Sequence, residues 1–141
     1  MKSATSLLFL MALLLAGCTS IGTHVDKGRH LADVRHFFVL SNLNDNHAID
    51  ESIVRALQVR GFQAESGPLT MMPDSAQAVV TYADRWAWDF STHLIHLQIS
   101  VRDPQAVHPY ASAFYQKNIA LSTEVDAVVD QLVGQLLKSA K

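Results

Sequence analysis

The sequence predicts an α+β domain, a two-layer sandwich in which a mostly antiparallel sheet of about five strands carries two helices on one face. Short runs rich in β-branched and aromatic residues, bounded by turn residues, predict the strands. Two segments with apolar residues at helical spacing predict the helices. The order is β-α-β-β-β-β-α, and each helix has a single apolar face. Both helices therefore fit against one side of the sheet, and the other side stays open.

The first predicted strand is HFFVLSN, residues 36–42, which ends in a series of turn residues. A helix follows, for which Asn46 suits the N-cap and Gly61 suits the stop. The second strand is FQAES, residues 62–66. The helix places its apolar residues on one face, at i, i+4, i+5 and i+8: Ile49, Ile53, Val54 and Leu57.

Three longer strands are predicted after a loop at 67–75 that contains two prolines. Two of them, 76–90 and 92–103, are joined by a tight turn near Ser91, and 109–120 forms the third. The alternating apolar residues of these segments indicate that they pair into one sheet.

A second helix is predicted to close the chain, beginning at Thr123. Thr123 and Asp126 have the spacing of a capping box, and Lys138 suits the negative end of a helix. The apolar stripe that this helix would turn towards the sheet consists of Val125, Val128, Val129, Leu132 and Leu136.

Both tryptophans of the chain lie in one strand, in the stretch YADRWAWDF. Strand alternation with a turn centred at Ser91 predicts that aromatic and polar side chains share the open face. Tyrosine and tryptophan suit surfaces that bind. The alternative is that a one-residue register shift, or a covering loop at 67–75, buries both tryptophans as core. The residues of this candidate partner-binding face are Tyr82, Trp86, Trp88 and His96.

The start of the chain has the order of a secretory signal, with Lys2 followed by ten apolar residues at 7–16 and then Leu-Ala-Gly-Cys ending at Cys18. This segment resembles the bacterial lipobox. The resemblance implies cleavage before Cys18, so that 1–17 is a lipoprotein signal peptide, and attachment of diacylglycerol and palmitate to Cys18. An ordinary cleaved signal with a coincidental cysteine is the alternative. Thr19 stands where aspartate would imply inner-membrane retention, so the resemblance implies an outer-membrane lipoprotein that faces the periplasm.

Residues 18–35 are polar, contain two glycines and show no clear periodicity, so we expect the lipidated cysteine and a flexible tether there, with the periplasmic domain at 36–141. The chain has 11 Lys+Arg and 13 Asp+Glu, and these charges are scattered. The sequence has no basic stripe, which argues against nucleic acid as a partner. Cys18 is the single cysteine, so no disulfide can form within one chain.

The sequence gives little support to catalysis or metal binding. It contains no G-x-S-x-G and no phosphate-binding glycine motif. His93 and His96 are expected on opposite sides of a strand, and so are Asp84 and Asp89. We therefore predict that the protein is not an enzyme, has no metal site and has no cofactor beyond the covalent lipid. The alternative is a periplasmic module for a small ligand or a metal, lined by Trp86, Trp88 and His96.

Several apolar positions also resemble those of small periplasmic α+β domains in uncharacterised proteobacterial lipoproteins. The pattern runs from Ile49 to Phe62 through Arg60-Gly61, then from Pro73 through Ala78-Val79-Val80 to Trp86. Similar architecture is found in TolB N-terminal-like domains and lipopolysaccharide-assembly lipoproteins. The resemblance implies a scaffold or assembly role. The predicted partners are the membrane, through the lipid anchor, and either an envelope protein or further copies of this chain.

Overall fold

The computed structural model describes residues 19–118 and 123–140. Two helices and six strands form an α+β fold. The first strand was not predicted, and the remaining elements follow the predicted order. A short 3₁₀ turn, Leu69–Met71, follows the third strand. The strands are β1 (Thr19–Val25), β2 (His36–Leu40), β3 (Gln63–Gly67), β4 (Ala78–Asp89), β5 (Ser91–Arg102) and β6 (Ala111–Lys117), and the helices are α1 (Ile49–Val59) and α2 (Val125–Ser139).

The six strands form one mixed sheet in the order β1-β6-β5-β4-β2-β3. Strand β2 runs parallel to both of its neighbours, β3 and β4, while the other three pairs are antiparallel. The parallel β2–β3 pair follows from α1, because a helical crossover returns the chain in the same direction. The sheet is therefore mostly antiparallel and open, as the sequence predicts.

Both helices pack against the same face of the sheet and against each other. Burial of each large aliphatic side chain in this layer contributes about 1.5–3 kcal/mol. At the helix–helix contact, Arg60 binds the Asp130 carboxylate at 2.6 Å, and this hydrogen bond lowers the pKa of Asp130. The apolar residues that the helices bury include Ile49, Ile53, Leu57, Val129, Leu132, Val133 and Leu136.

The segment expected to be a flexible tether, 18–35, is instead part of the fold from Thr19 onward. Strand β1 pairs with β6 along its whole length, and Ile21 packs against the core. Leu31 is fully buried, and its backbone N–H donates to the carbonyl of Ala140 at 2.6 Å. An edge strand has one neighbour and keeps many polar residues, which is why composition alone indicated a tether. Cys18 and the signal peptide lie outside the described residues.

The helix starts differ from the predicted caps. Asn46 does not cap α1; the Asp45 carboxylate accepts the N–H groups of His47 and Ile49, each at 2.7 Å. No side-chain cap forms at the start of α2, where Asp126 instead binds Ser52 of α1. The start of α1 is thus held by a local contact one residue earlier than predicted, whereas Asp126 makes a tertiary contact that no local motif reveals.

The loop at 67–77 covers one end of the open face of the sheet. Phe38 lies on that face, and both Phe38 and Met71 lie beside Gly67. His36 reaches the same loop, with its Nδ1 at 3.0 Å from the hydroxyl of Ser75. The cover ends near β2, so the open face extends over β1, β6, β5 and most of β4. Within residues 19–118 and 123–140, neither helix has the length and apolar character needed to cross a membrane.

Candidate interaction surfaces

The β4–β5 hairpin has a different register from the predicted one. Asp89 pairs with Ser91, so the turn is centred on Phe90 rather than on Ser91. The register also shifts between Arg85 and Trp86, which leaves Ile95 as an extra residue on β5. Such a β-bulge changes which residues share a face, because strand alternation restarts on either side of it.

The four residues of the predicted partner-binding face do not share one face, so the strand register on which that prediction rests is wrong. Tyr82 and Trp86 lie on the helix-bearing side and pack partly buried against the core. Trp88 follows on the same side but is 78% exposed at the end of the hairpin. His96 lies on the open face, where its Nδ1 is 3.0 Å from Oε1 of Gln116. The shifted turn exchanged the faces, which is the register effect named in the alternative.

Trp86 is covered by the loop between β2 and α1. Its ring stacks on that of His47, with centroids 3.6 Å apart and an angle of 19° between the planes. Its indole N–H donates to the carboxylate of Asp84 at 2.5 Å. A partly buried tryptophan with a satisfied N–H is a structural element of the fold. No sequence pattern predicted that this loop covers Trp86.

Tyr82 fixes the same loop to the sheet. Its hydroxyl donates to Asp45 at 2.8 Å and accepts the backbone N–H of Asn42 at 3.1 Å. Burial raises the pKa of Tyr82, and the neighbouring Asp45 raises it further. Burial also acts to raise the pKa of Asp45, but the hydrogen bonds from His47 and Tyr82 lower it overall. Asp45 is therefore ionised at neutral pH and joins the loop, the helix start and the sheet.

The tip of the β4–β5 hairpin is an exposed aromatic surface formed by Trp88 and Phe90, with Asp89 between them. Phe90 is fully exposed and has φ of 65°, in the left-handed region that a bulky residue rarely adopts. The buried His93 holds the tip in place, since its Nδ1 lies 3.1 Å from the Asp89 carboxylate and 3.2 Å from the Ser91 carbonyl. We refer to residues 88–90 as the aromatic tip.

The open face of the sheet is a second exposed surface, mostly polar, with one aromatic ring near its middle. Phe114 is 40% exposed and lies over Gly22, where any side chain would collide with the ring. Strand pairing places Gly22, Phe114, Gln98 and Ala83 in one row across four strands. The rows on either side of it are Ser20, Gln116, His96 and Arg85, and His24, Ser112, Ser100 and Thr81.

His93 and His96 lie on the same face, contrary to prediction, because the bulge inserts Ile95 as an extra residue between them and interrupts the strand alternation. They nevertheless bind different partners, Asp89 and Gln116. Across the two described stretches of the chain, no group of three or more His, Cys, Asp or Glu side chains could hold a metal ion. Trp86 and His96 are on opposite faces, so the lining suggested for a ligand site is not assembled.

A groove of about 300 Å³ lies at the contact of the helices with the N-terminal segment. Its lining includes Leu31, Phe62 and Arg60. The guanidinium of Arg60 is already engaged by Asp130 and by the carbonyl of Ala56 at 2.8 Å. Of the two cations in its lining, Arg60 and Lys138, Arg60 thus serves the helix–helix contact.

No protein-family model and no curated protein sequence matches the chain. Among solved structures, the chain is similar to a PelC dodecamer from Paraburkholderia phytofirmans, with a TM-score of 0.59 and 14% identity over 85% of this chain and 95% of that one. A single-residue variant of the same PelC gives a TM-score of 0.58. At 14% identity, the likeness shows a shared fold.

A lower similarity relates the chain to a minor lipoprotein from Acinetobacter baumannii, with a TM-score of 0.39 and 16% identity over 75% of this chain and 91% of that one. A score of that size supports no inference.

The two exposed surfaces must therefore be interpreted from their own chemistry. The sequence singled out Trp88 but missed Phe90 and Phe114. A bulky aromatic at a tight turn, and one at a polar position of an alternating strand, are the signals that could have identified them.

Proposed function

We propose that this chain is a non-enzymatic lipoprotein of the outer membrane, anchored through a lipid on Cys18, whose domain acts as an assembly or interaction subunit facing the periplasm. The lipobox at residues 15–18 supports the anchor. The observation that carries the interaction role is the half-covered sheet, in which two helices protect one face and the other presents Phe114 among small and polar side chains.

The composition of the open face suits a protein partner. An exposed aromatic ring surrounded by small side chains provides an anchor that a partner can enclose. Its polar neighbours, such as Gln98 and Ser112, can pair across an interface. The PelC to which this fold is similar is a dodecamer, which supports further copies of this chain as the partner. Association with a different envelope protein is the other form of the same proposal.

The anchor is tested by growing cells with an alkyne analogue of palmitate and fractionating their membranes. The wild-type chain should carry the label and sediment with the outer membrane, whereas Cys18→Ala should lose the label. Thr19→Asp is the matched variant, since it should keep the label and move to the inner-membrane fraction. An unlabelled wild-type chain would contradict the proposed lipoprotein.

The contact surface is tested by placing a photo-cross-linking amino acid at Phe114 in cells and identifying the adducts by mass. We expect adducts with a second copy of the chain or with another envelope protein. The control is the same amino acid at Glu51, which is exposed on the outer side of α1 and should give no discrete adduct. Equal labelling at both positions, or none at Phe114 in a folded and lipidated chain, would refute the open face as the contact surface.

A further inference from the structure

The aromatic tip and the point where the lipid would be attached lie at the same end of the sheet. Thr19, the residue after Cys18, pairs with Lys117 at the first position of β1. The next row runs from Ser20 through Gln116 and His96 to Arg85. From this row, β5 continues back towards Ser91, so the hairpin extends past the place where β1 begins.

The length of that extension follows from strand geometry. The row of Thr19 crosses β5 near Ile95, which lies four residues after Ser91, the first residue of the strand. At about 3.3 Å per residue, the tip projects roughly 13 Å beyond Thr19. The opposite end of the sheet, where the β5–β6 loop carries the exposed Val107, is about 40 Å away along β5 by the same rise per residue.

The connection between anchor and domain is short, because strand β1 begins at Thr19 with no spacer after Cys18. One residue spans at most about 3.6 Å. A lipid on Cys18 would therefore hold this end of the sheet against the membrane surface. The headgroup region of each leaflet is about 5–8 Å thick. A projection of roughly 13 Å thus reaches through it to the edge of the hydrocarbon.

The chemistry of the tip suits that depth. Trp88 and Phe90 are the exposed aromatic residues of the hairpin, and tryptophan in particular is enriched at the membrane–water interface. The one charge among residues 88–92 is Asp89, which lies beside the buried His93. Phe90 keeps a left-handed backbone, which is unfavourable for an L-residue, and such strain concentrates at functional positions.

We propose that the aromatic tip inserts into the interfacial region of the membrane that holds the Cys18 lipid. This inference rests on the proposed lipidation. The tip then forms a second membrane contact that fixes the orientation of the domain, with the sheet standing upright and its open face directed sideways. In this orientation, neighbouring copies or envelope partners can reach Phe114 without displacing lipid.

The inference is tested with the full lipidated chain in vesicles of phosphatidylcholine brominated on its acyl chains, because bromine quenches tryptophan on contact. The variant Trp86→Phe retains only Trp88, and we expect bromolipid to remove most of its emission. The variant Trp88→Phe retains only Trp86, which should keep its emission under the His47 ring. Adding Val107→Trp to a chain that lacks both natural tryptophans gives a matched control at the far end, which should also stay bright.

A second measurement avoids changing Trp86, in case the Trp86→Phe chain does not fold. A nitroxide label is attached to Phe90→Cys, since the Cys18 thiol is occupied by lipid, and to Val107→Cys as control. The Phe90 label should be accessible to oxygen dissolved in lipid and shielded from a water-soluble nickel complex; the Val107 label should show the reverse. Palmitate labelling of the same samples separates the two proposals. A lipidated, vesicle-bound chain with an unquenched Trp88 and a water-exposed Phe90 label overturns the insertion alone, whereas loss of palmitate overturns the lipoprotein proposal.

Discussion

Trp86 and Trp88 are separated by one residue on the same strand and point to the same side of the sheet, yet they occupy opposite environments. Trp86 is stacked under His47 and satisfied by Asp84. Trp88 is 78% exposed. The difference lies in the length of the cover, because the loop before α1 reaches Trp86 and stops there. In this hairpin, the reach of the loop between β2 and α1 decides which tryptophan is part of the core and which is part of the surface.

The largest expected contrast comes from truncating each tryptophan. Trp86→Ala removes a stacked, partly buried ring and should lower the free energy of unfolding by about 2–3 kcal/mol. Trp88→Ala removes an exposed ring and should change it by less than about 0.5 kcal/mol. Guanidinium unfolding of the lipidated chain in detergent, followed by circular dichroism, measures both. Equal losses would mean that the tip packs within the domain and would remove the basis for a membrane contact.

A smaller effect is expected from the hydroxyl that holds the covering loop. Tyr82→Phe removes the hydrogen bonds to Asp45 and Asn42, which should cost about 1 kcal/mol of stability. In the Trp88→Phe chain, where Trp86 is the single emitter, acrylamide should then quench Trp86 more readily. Ser112→Ala on the open face is the control and should leave Trp86 unchanged. If Tyr82→Phe also leaves it unchanged, the loop is held by other contacts.

The sequence predicted the order of the elements well, because hydrophobic periodicity and turn residues are local signals. It placed α1, α2 and the β4–β5 hairpin within a few residues of their observed positions. It failed where the outcome depends on distant partners. Ile95 becomes a bulge only through its pairing with β4, and β1 becomes a strand only because β6 offers an edge.

The candidate surface was less predictable than the fold for the same reason. Its face assignment depended on a turn position, and a shift of one residue moves every side chain to the other face. Trp88 was identified, but its exposure comes from the position of the hairpin end relative to a loop 40 residues earlier in sequence. Local patterns carry no information on how far that loop extends.

Acid should uncover Trp86 and leave Trp88 unaffected. The pKa of Asp45 is lowered in the folded state from its ordinary value of 3.8. Its contribution to stability is therefore complete above that ordinary value and is lost as the pH falls through the folded pKa. In the Trp88→Phe chain, the emission maximum of Trp86 should shift to the red below about pH 4. The same titration of Asp45→Asn should show no such step before global unfolding; a step that persists there would assign the effect to another carboxylate.

The smallest change in stability is expected for a substitution at the turn. This substitution should affect stability and membrane contact in opposite directions. Phe90→Gly relieves a left-handed backbone that costs an L-residue about 1–2 kcal/mol, while glycine adds about 0.5–1 kcal/mol of chain entropy, so a net gain of about 0.5 kcal/mol is expected. Bromolipid quenching of Trp88 should weaken in the same variant, because half of the aromatic tip is gone. Ala48→Gly is the matched control, since Ala48 also has a left-handed backbone, with φ of 52°, but lies at the start of α1. It should raise stability similarly and leave Trp88 quenching unchanged. A destabilised Phe90→Gly chain would show instead that the Phe90 ring supports the hairpin, which would make Phe90 a structural residue of the turn.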